Sequence, residues 1–222
     1  MRNIFLAGGG NEKDSFPTDR LFSSVIDKNK VLLYVPNAMI SRSYEECLIW
    51  FKSVFSPLGI DKIEMWTDLD NVEKKDFSRV SGIYIGGGDT AKLFSEIESS
   101  NFKDYLLEAV NKGIPVYGGS AGAIVLGKDL RTAKEIKMSE LENTYGLDVL
   151  SGYSVFCHYT PDKKEELFTL TRLLKSPIFA LSEKTGIYIR DEIVTIYGTE
   201  PLYIIRDQIE IVLKPGEKHP IS

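Results

Sequence analysis

Residues 114–127 read IPVYGGSAGAIVLG, which is a short apolar run, a group of small residues and a second apolar run. The first run predicts a buried strand and the second predicts a helix. Glycine costs backbone entropy inside regular structure, so a cluster of glycines needs another reason. Small residues on either side of Ser120 are what a sharp, crowded strand-to-helix turn requires. The stretch therefore predicts a strand–turn–helix unit with a serine at its apex.

Short apolar runs and segments of helical period alternate around this unit. The predicted strands are residues 4–8, 31–36, 62–66, 82–87 and 114–119, and the predicted helices are residues 43–55, 90–97 and 102–113. This alternation favours a mostly parallel sheet with helices on both faces. Residues 154–159 are predicted to be extended, and 163–176 an amphipathic helix. From Pro177 onward, apolar and polar residues alternate between turn signals, as in short antiparallel strands. We expect residues 1–222 to form a single α/β domain with a β-rich C-terminal end.

The composition disfavours several classes of protein. The 222 residues are 43% hydrophobic, enough for a substantial core, and their net charge of −5 comes from mixed signs. The sequence has no basic stripe for nucleic acid and no apolar run long enough to cross a bilayer. The N-terminus lacks the long apolar segment of a signal peptide, and Cys47 and Cys157 suit unpaired thiols in a reducing compartment. We expect a cytoplasmic protein that binds neither nucleic acid nor membrane.

The residues around Ser120 also fit a pattern with a known chemistry. Gly118, Ser120 and Gly122 match the G-x-S-x-G of a nucleophile elbow, in which the helix after the serine directs free N–H groups at the reacting group. A serine hydroxyl needs a base to take its proton. The chain has two histidines, and His219 lies in a charged tail, so we predict that His158 is the base. The alternative is a glycine turn that only packs a helix onto the sheet.

Two further groups would complete such a site. A third residue should orient the imidazole, and position alone leaves open Asp148, Asp162, Glu183, Asp191 and Glu192. A second glycine cluster, GIYIGGGDT at residues 82–90, ends a predicted strand. If that strand neighbours the strand before Ser120, an N–H group of this cluster and that of Ala121 can form an oxyanion hole. The glycine run that begins at Ala7 is either a plain loop or a wall of the substrate site.

Phosphate, dinucleotide and metal sites are disfavoured. Gly122 to Lys128 match G-x-x-x-x-G-K, but Asp129 replaces the Ser or Thr that would bind magnesium, and the interior of the stretch is helix-like. The glycine runs lack the spacing of a dinucleotide-binding loop, and no His or Cys pair has the spacing of metal ligands. We therefore expect no cofactor and no metal.

Four segments, in order IYIGGGDT, PVYGGSAGAIVLG, FCHYT and ALSEKTGIYI, resemble the peptidase E and cyanophycinase family of serine peptidases. The resemblance spans residues 3 to 200. It implies a three-layer, flavodoxin-like fold similar to that of class I glutamine amidotransferases. It also implies that Ser120 is the nucleophile, His158 the base and Glu183 the acid of a catalytic triad.

The resemblance also implies which residues form the oxyanion hole and the substrate site, and which substrates are cleaved. The oxyanion hole would comprise N–H groups of Gly87, Gly88 and Ala121, and Asp89 and Thr90 would line the substrate site. Members of the family cleave dipeptides with an N-terminal aspartate or an aspartyl–arginine polymer. An acidic substrate side chain needs a cationic partner, and the candidates after His158 are Lys163, Lys164 and Arg172.

Together, these features predict a serine hydrolase of small peptides that acts through an acyl-enzyme, as a monomer or a homodimer. Two other functions stay open at this point. One is an esterase or amidase with the same triad and a non-peptide substrate. The other is a catalytically inactive protein that binds a small ligand on the same scaffold.

Overall fold

The computed structural model describes residues 2–72, 77–134, 136 and 144–221. Within these, the helices are α1 (Glu12–Val25), α2 (Tyr44–Phe55), α3 (Thr90–Glu98), α4 (Phe102–Asn111), α5 (Ala121–Leu126) and α6 (Lys164–Leu174). The strands are β1 (Asn3–Ala7), β2 (Val31–Val35), β3 (Ile63–Met65), β4 (Val80–Ile85), β5 (Val116–Gly119), β6 (Ser154–Phe156), β7 (Ile178–Leu181), β8 (Thr185–Arg190), β9 (Ile193–Gly198), β10 (Leu202–Arg206), β11 (Ile209–Leu213) and β12 (Lys218–Pro220). None of these helices has the length and apolar composition to cross a bilayer.

The main sheet has eight strands in the order β12-β9-β8-β1-β5-β4-β2-β3. Five adjacent strands of this sheet are parallel to one another: β1, β5, β4, β2 and β3. Their carboxyl ends therefore lie along one edge. Strands β8, β9 and β12 extend the sheet beyond β1 as antiparallel strands. The predicted α/β class with a mostly parallel sheet is confirmed. The prediction of a single domain over 1–222 extends beyond the described residues and stays a prediction.

Helices cover both faces of the main sheet, as predicted. Because successive residues of a strand point to opposite faces, each parallel strand contributes to two cores. One core holds Phe5, Tyr34, Tyr84 and Tyr117 together with apolar side chains of α1 and α2. The other holds the residues next to these along the strands, together with side chains of α3, α4 and α5.

The β-rich C-terminal part divides between two sheets. Strands β11, β10, β7 and β6 form a second sheet in that order, in which β6 and β7 run parallel. One face of this sheet joins the core of α3–α5 through residues such as Val155 and Phe179. The other face packs on Leu167 and Leu174 of α6. The alternating pattern predicted strands here, but it could not assign them to two sheets.

Helix α1 is absent from the sequence-based expectations. Pro17 lies inside the helix, and the segment has too few apolar residues to show a clear helical spacing. A local signal was nevertheless present at its start. The side chain of Asn11 accepts from the Lys13 N–H at 2.8 Å, and the Asp14 carboxylate accepts from the Asn11 N–H at 3.1 Å, which is the pattern of a capping box.

Candidate active site

Ser120 occupies the turn between β5 and α5 with φ 47° and ψ −109°. A positive φ is unfavourable for a residue with a side chain and is typical of functional turns. The neighbouring glycines permit the turn. A Cβ on Gly118 would lie 2.6 Å from the carbonyl oxygen of Gly122, and a Cβ on Gly122 would lie 2.3 Å from that of Ile85. The G-x-S-x-G spacing thus follows from the close approach of α5 to β4 and β5.

The imidazole of His158 lies next to this serine. His158 follows β6 and has φ 55°, and its backbone N–H donates to the carbonyl oxygen of Gly8 at 3.0 Å. Its Nε2 is 2.9 Å from Ser120 Oγ, and its Nδ1 is 3.1 Å from Oε1 of Glu183. With the ring proton on Nδ1, the imidazole donates to Glu183 and can accept the serine proton on Nε2.

The sheet topology explains why His158 and Glu183 meet. Strands β6 and β7 are parallel neighbours, so the residues that follow them lie at one edge of the second sheet. Glu183 follows β7 in the turn to β8, and the Tyr159 N–H donates to the Leu181 carbonyl oxygen at 2.9 Å. Among the other acids left open by the sequence, Asp148 accepts from the Gly152 N–H, and Asp162 lies in the short helical turn before α6. Asp191 and Glu192 form the β8–β9 turn, at the opposite edge of the main sheet.

The glycine run after β1 is a wall of the site. A Cβ on Gly9 would lie 2.2 Å from Cε1 of His158, and one on Gly8 would lie 2.1 Å from the carbonyl oxygen of Ser182. The backbone of this loop therefore packs directly against the histidine and against the turn that carries Glu183. Of the two interpretations that the sequence left open for this run, the structure places it at the site.

The second glycine cluster lies on the other side of Ser120. Strand β4 pairs in parallel with β5, with Ile85 opposite Gly118, so the neighbour relation on which the oxyanion prediction depended is present. A Cβ on Gly87 would lie 3.1 Å from the Cβ of Ser120. Gly88 has φ 143° and packs on the backbone of Ala38. A Cβ added to Gly88 would lie 2.2 Å from the Ala38 carbonyl oxygen. The assignment of the oxyanion hole to N–H groups of Gly87, Gly88 and Ala121 stays a prediction.

Asp89 and Thr90, which were predicted to line the substrate site, make other contacts in the structure. Oδ1 of Asp89 accepts from the Lys92 N–H at 2.8 Å, so this carboxylate caps α3. Thr90 is fully buried. Neither side chain lines the cavity beside Ser120. The sequence contained a signal for this, because Asp is a preferred residue immediately before a helix.

A cavity of about 550 Å³ opens beside Ser120 and His158. Its walls come from the loops after β1 and β2, from the ends of β4 and β5, from α1 and α2, and from His158 after β6. Arg42, Tyr34 and Tyr84 also line the cavity, and no sequence pattern indicated them. Arg42 precedes the N-cap of α2 and resembles an ordinary loop residue, while the two tyrosines resemble ordinary core residues of strands.

The cations predicted to follow His158 do not line this cavity. Lys163 pairs with Glu166 at 3.2 Å, and Lys164 pairs with Glu210 at 2.7 Å. The Nε of Arg172 donates to a backbone carbonyl oxygen one turn earlier in α6, at 3.4 Å. Along the described part of the chain, no group of three or more His, Cys, Asp or Glu side chains is arranged to hold a metal ion.

A family model and several curated relatives match most of this chain. The sequence model of peptidase family S51 matches residues 4–214. A peptidase E of Shewanella sp. (strain W3-18-1) is 26% identical over 192 residues, covering 82% of this chain and 80% of that protein. A peptidase E of Actinobacillus pleuropneumoniae serotype 5b is 24% identical and covers 96% of this chain and 97% of its own.

Two solved structures share the fold. A peptidase from an acI-B1 Actinobacterium superposes with a TM-score of 0.73 at 17% identity, covering 99% of this chain and 97% of that one. A putative peptidase E from Listeria monocytogenes superposes with a TM-score of 0.66 at 22% identity, covering 89% of this chain and 98% of that one.

Proposed function

We propose that this chain, a serine-type peptidase that belongs to peptidase family S51, hydrolyses short peptides through an acyl-enzyme on Ser120. The observation that carries the proposal is the line of contacts from Ser120 Oγ to His158 Nε2 at 2.9 Å and from His158 Nδ1 to Glu183 at 3.1 Å. A nucleophile, a base and an orienting acid in hydrogen-bond contact are the recurring arrangement of serine hydrolases on unrelated folds.

In the first half of the reaction, Ser120 Oγ attacks the substrate carbonyl carbon while His158 Nε2 takes the hydroxyl proton. The carbonyl oxygen becomes an oxyanion, which we assign to N–H groups of Gly87, Gly88 and Ala121. A single donor of this kind contributes on the order of 10²–10³ to kcat. His158 then gives the proton to the leaving amine, the C–N bond breaks, and the acyl group remains on Ser120 as an ester.

In the second half, water attacks the ester carbonyl and His158 takes a proton from it as the general base. Collapse of the oxyanion releases the acid and returns the proton to Ser120. Glu183 accepts from Nδ1–H throughout and keeps the ring in the productive tautomer. The side chains of His158 and Glu183 are 46% and 58% exposed, so solvent screens their charge interaction. We therefore propose that Glu183 acts mainly by orienting the imidazole of His158, and less by stabilising its charge.

The size of the cavity supports a short substrate. About 550 Å³ is typical of a small-molecule site, which suits a peptide of a few residues better than a protein segment. Membership of a peptidase family favours a peptide bond over the ester or amide of a non-peptide substrate, and it favours catalysis over binding alone. We retain the dipeptide as the smallest expected substrate.

A library of di- and tripeptides with free termini, assayed beside a nitrophenyl ester, tests this function. We expect the wild type to hydrolyse a set of the peptides and the Ser120→Ala variant to hydrolyse none. Circular dichroism of both proteins controls for folding. Turnover of the ester without any peptide, or peptide turnover by Ser120→Ala at the wild-type rate, contradicts the proposal.

A further inference from the structure

Strand β11 (Ile209–Leu213) forms one edge of the second sheet. It pairs with β10, and no strand in the described part of the chain pairs with its outer side. Two of its apolar side chains are exposed, Ile209 by 63% and Val212 by 45%. Because the outer N–H and C=O groups of an edge strand are unpaired, such an edge can accept a further strand.

The other sheet edges that the structure describes have features that oppose such pairing. Strand β12 includes Lys218 and Pro220, both exposed, and β3 and β6 are only three residues long. Charge, proline and short length are the usual protection of a sheet edge. Strand β11 has five residues and no proline, and its one charged residue, Glu210, already pairs with Lys164 of α6 at 2.7 Å. It is therefore the edge best suited to association.

The side chains along this edge are complementary to those of a second copy of the chain. Alternate residues of a strand share a face, so Glu210 and Val212 lie on the face that α6 covers. Lys214, exposed directly after the strand, is the next residue of this alternation. When two such strands pair antiparallel about Val212, the two valines face each other and each Glu210 faces Lys214 of the other copy. A two-fold axis through this point forms the ion pair twice.

Other registers of the same strand pair are less favourable. Centring it on Glu210 would place two carboxylates opposite each other, and centring it on Ile211 would place Glu210 opposite Val212. The register about Val212 also pairs apolar residues on the other face of the sheet, since Ile211 of each copy then faces Leu213 of the other. The edge thus fits a strand with its own order of charges running in the opposite direction, which a second copy supplies.

We infer that two copies of this chain form a homodimer in which their β11 strands pair antiparallel about Val212 and join two four-stranded sheets into one. Pairing removes the exposed Val212 side chains from water and gives the outer backbone groups of both strands their hydrogen bonds. Because one strand from each copy makes most of the contact, the interface is small, and we expect a micromolar dissociation constant. The residues that line the cavity beside Ser120 all precede α6 in the sequence, so the inference does not depend on the proposed function.

Sedimentation velocity of the purified protein from about 1 to about 200 µM tests the dimer, because this range includes the concentrations at which a small interface forms. We expect the wild type to change from the mass of one chain to that of two. Val212→Lys places two like charges at the two-fold axis and should raise the dissociation constant by about tenfold or more. Ile193→Lys is the matched control, since Ile193 on β9 of the main sheet is also 45% exposed, and it should dimerise as the wild type does.

Two charge reversals test the register of the strand pair. Glu210→Lys and Lys214→Glu each place like charges opposite one another and should weaken the dimer by about tenfold, whereas an equimolar mixture of the two variants brings opposite charges together and should restore it. Circular dichroism of each variant controls for folding. A wild type that stays monomeric throughout overturns the inference and leaves this edge to a strand of another protein. A Val212→Lys variant that dimerises as the wild type does, or a mixture that associates no more strongly than its components, overturns it as well.

Discussion

Gly9 packs against the imidazole of His158 so closely that no side chain fits between them. The φ of Gly9 is 117°, and a Cβ built on it would lie 2.2 Å from Cε1 of the ring and 2.8 Å from Nδ1. The ring is thereby held between Gly9, Ser120 and Glu183. The alignment of the proposed base thus depends on a glycine from a different part of the sequence.

Replacing Gly9 by alanine should displace the imidazole from Ser120. We expect kcat for peptide hydrolysis to fall by about 10²-fold, since a misplacement of about 1 Å can cost that much. Gly216→Ala is the matched control, because Gly216 has φ 88° with nothing within 4 Å of its added Cβ. It should cost about 1 kcal/mol of unfolding free energy, because a residue with a Cβ is strained at this φ, without changing kcat. Equal kcat values for Gly9→Ala and the wild type would show that the contact has no role.

Replacing Glu183 by glutamine should lower kcat more than it changes KM. The amide keeps the size of the side chain but no longer favours the tautomer with the proton on Nδ1. We expect a loss of about 10²-fold in kcat, less than for a buried triad acid because the pair is partly exposed. Glu192→Gln, at the exposed β8–β9 turn, is the control and should match the wild type. Identical kcat values for the two variants would exclude the proposed role of Glu183.

Replacing Asp19 by asparagine should stabilise the protein at high pH. Burial raises the pKa of Asp19 from 3.8 to about 6, against the opposing effect of the Ser15 hydrogen bond. The folded state therefore holds its proton more tightly than the unfolded state, and stability falls as the pH rises between these values. A shift of this size is worth about 3 kcal/mol.

Urea unfolding at about pH 4 and about pH 8 measures this effect. We expect the free energy of unfolding of Asp19→Asn to exceed that of the wild type at the higher pH, with the gain much reduced at the lower one. Asp191→Asn changes an exposed turn residue of the same type and should show no such gain. A gain of Asp19→Asn that is equal at both values would contradict a cost of ionisation at Asp19.

Three kinds of evidence allowed parts of the site to be predicted: local sequence, the small number of histidines, and the common direction of parallel strands. The turn at Ser120 needs small neighbours, and the single histidine outside the charged tail restricts the choice of base. The carboxyl ends of the parallel strands β4 and β5 bring Gly87 to Ser120 once the two strands are neighbours. Choosing Glu183 among five acids needed the family resemblance, because a pattern does not reveal which loops meet.

The parts that were missed depend on tertiary neighbours. Tyr34, Tyr84 and Tyr117 lie side by side only once β2, β4 and β5 are in register, so nothing in any one strand indicates that they meet. Helix α1 forms despite Pro17 because its capping box and its packing on the sheet outweigh its composition. The antiparallel strands after β7 alternate in the same way whichever of the two sheets they join.

Covalent labelling by a fluorophosphonate tests the central claim, that His158 activates Ser120 for attack, most directly. The serine oxygen would displace fluoride from phosphorus, and mass spectrometry of the digested protein locates the adduct. We predict labelling at Ser120 in the wild type, none in Ser120→Ala, and labelling slower by about 10²-fold or more in His158→Asn, whose new residue tolerates the positive φ. An adduct on another residue, or equal rates for His158→Asn and the wild type, would contradict the claim.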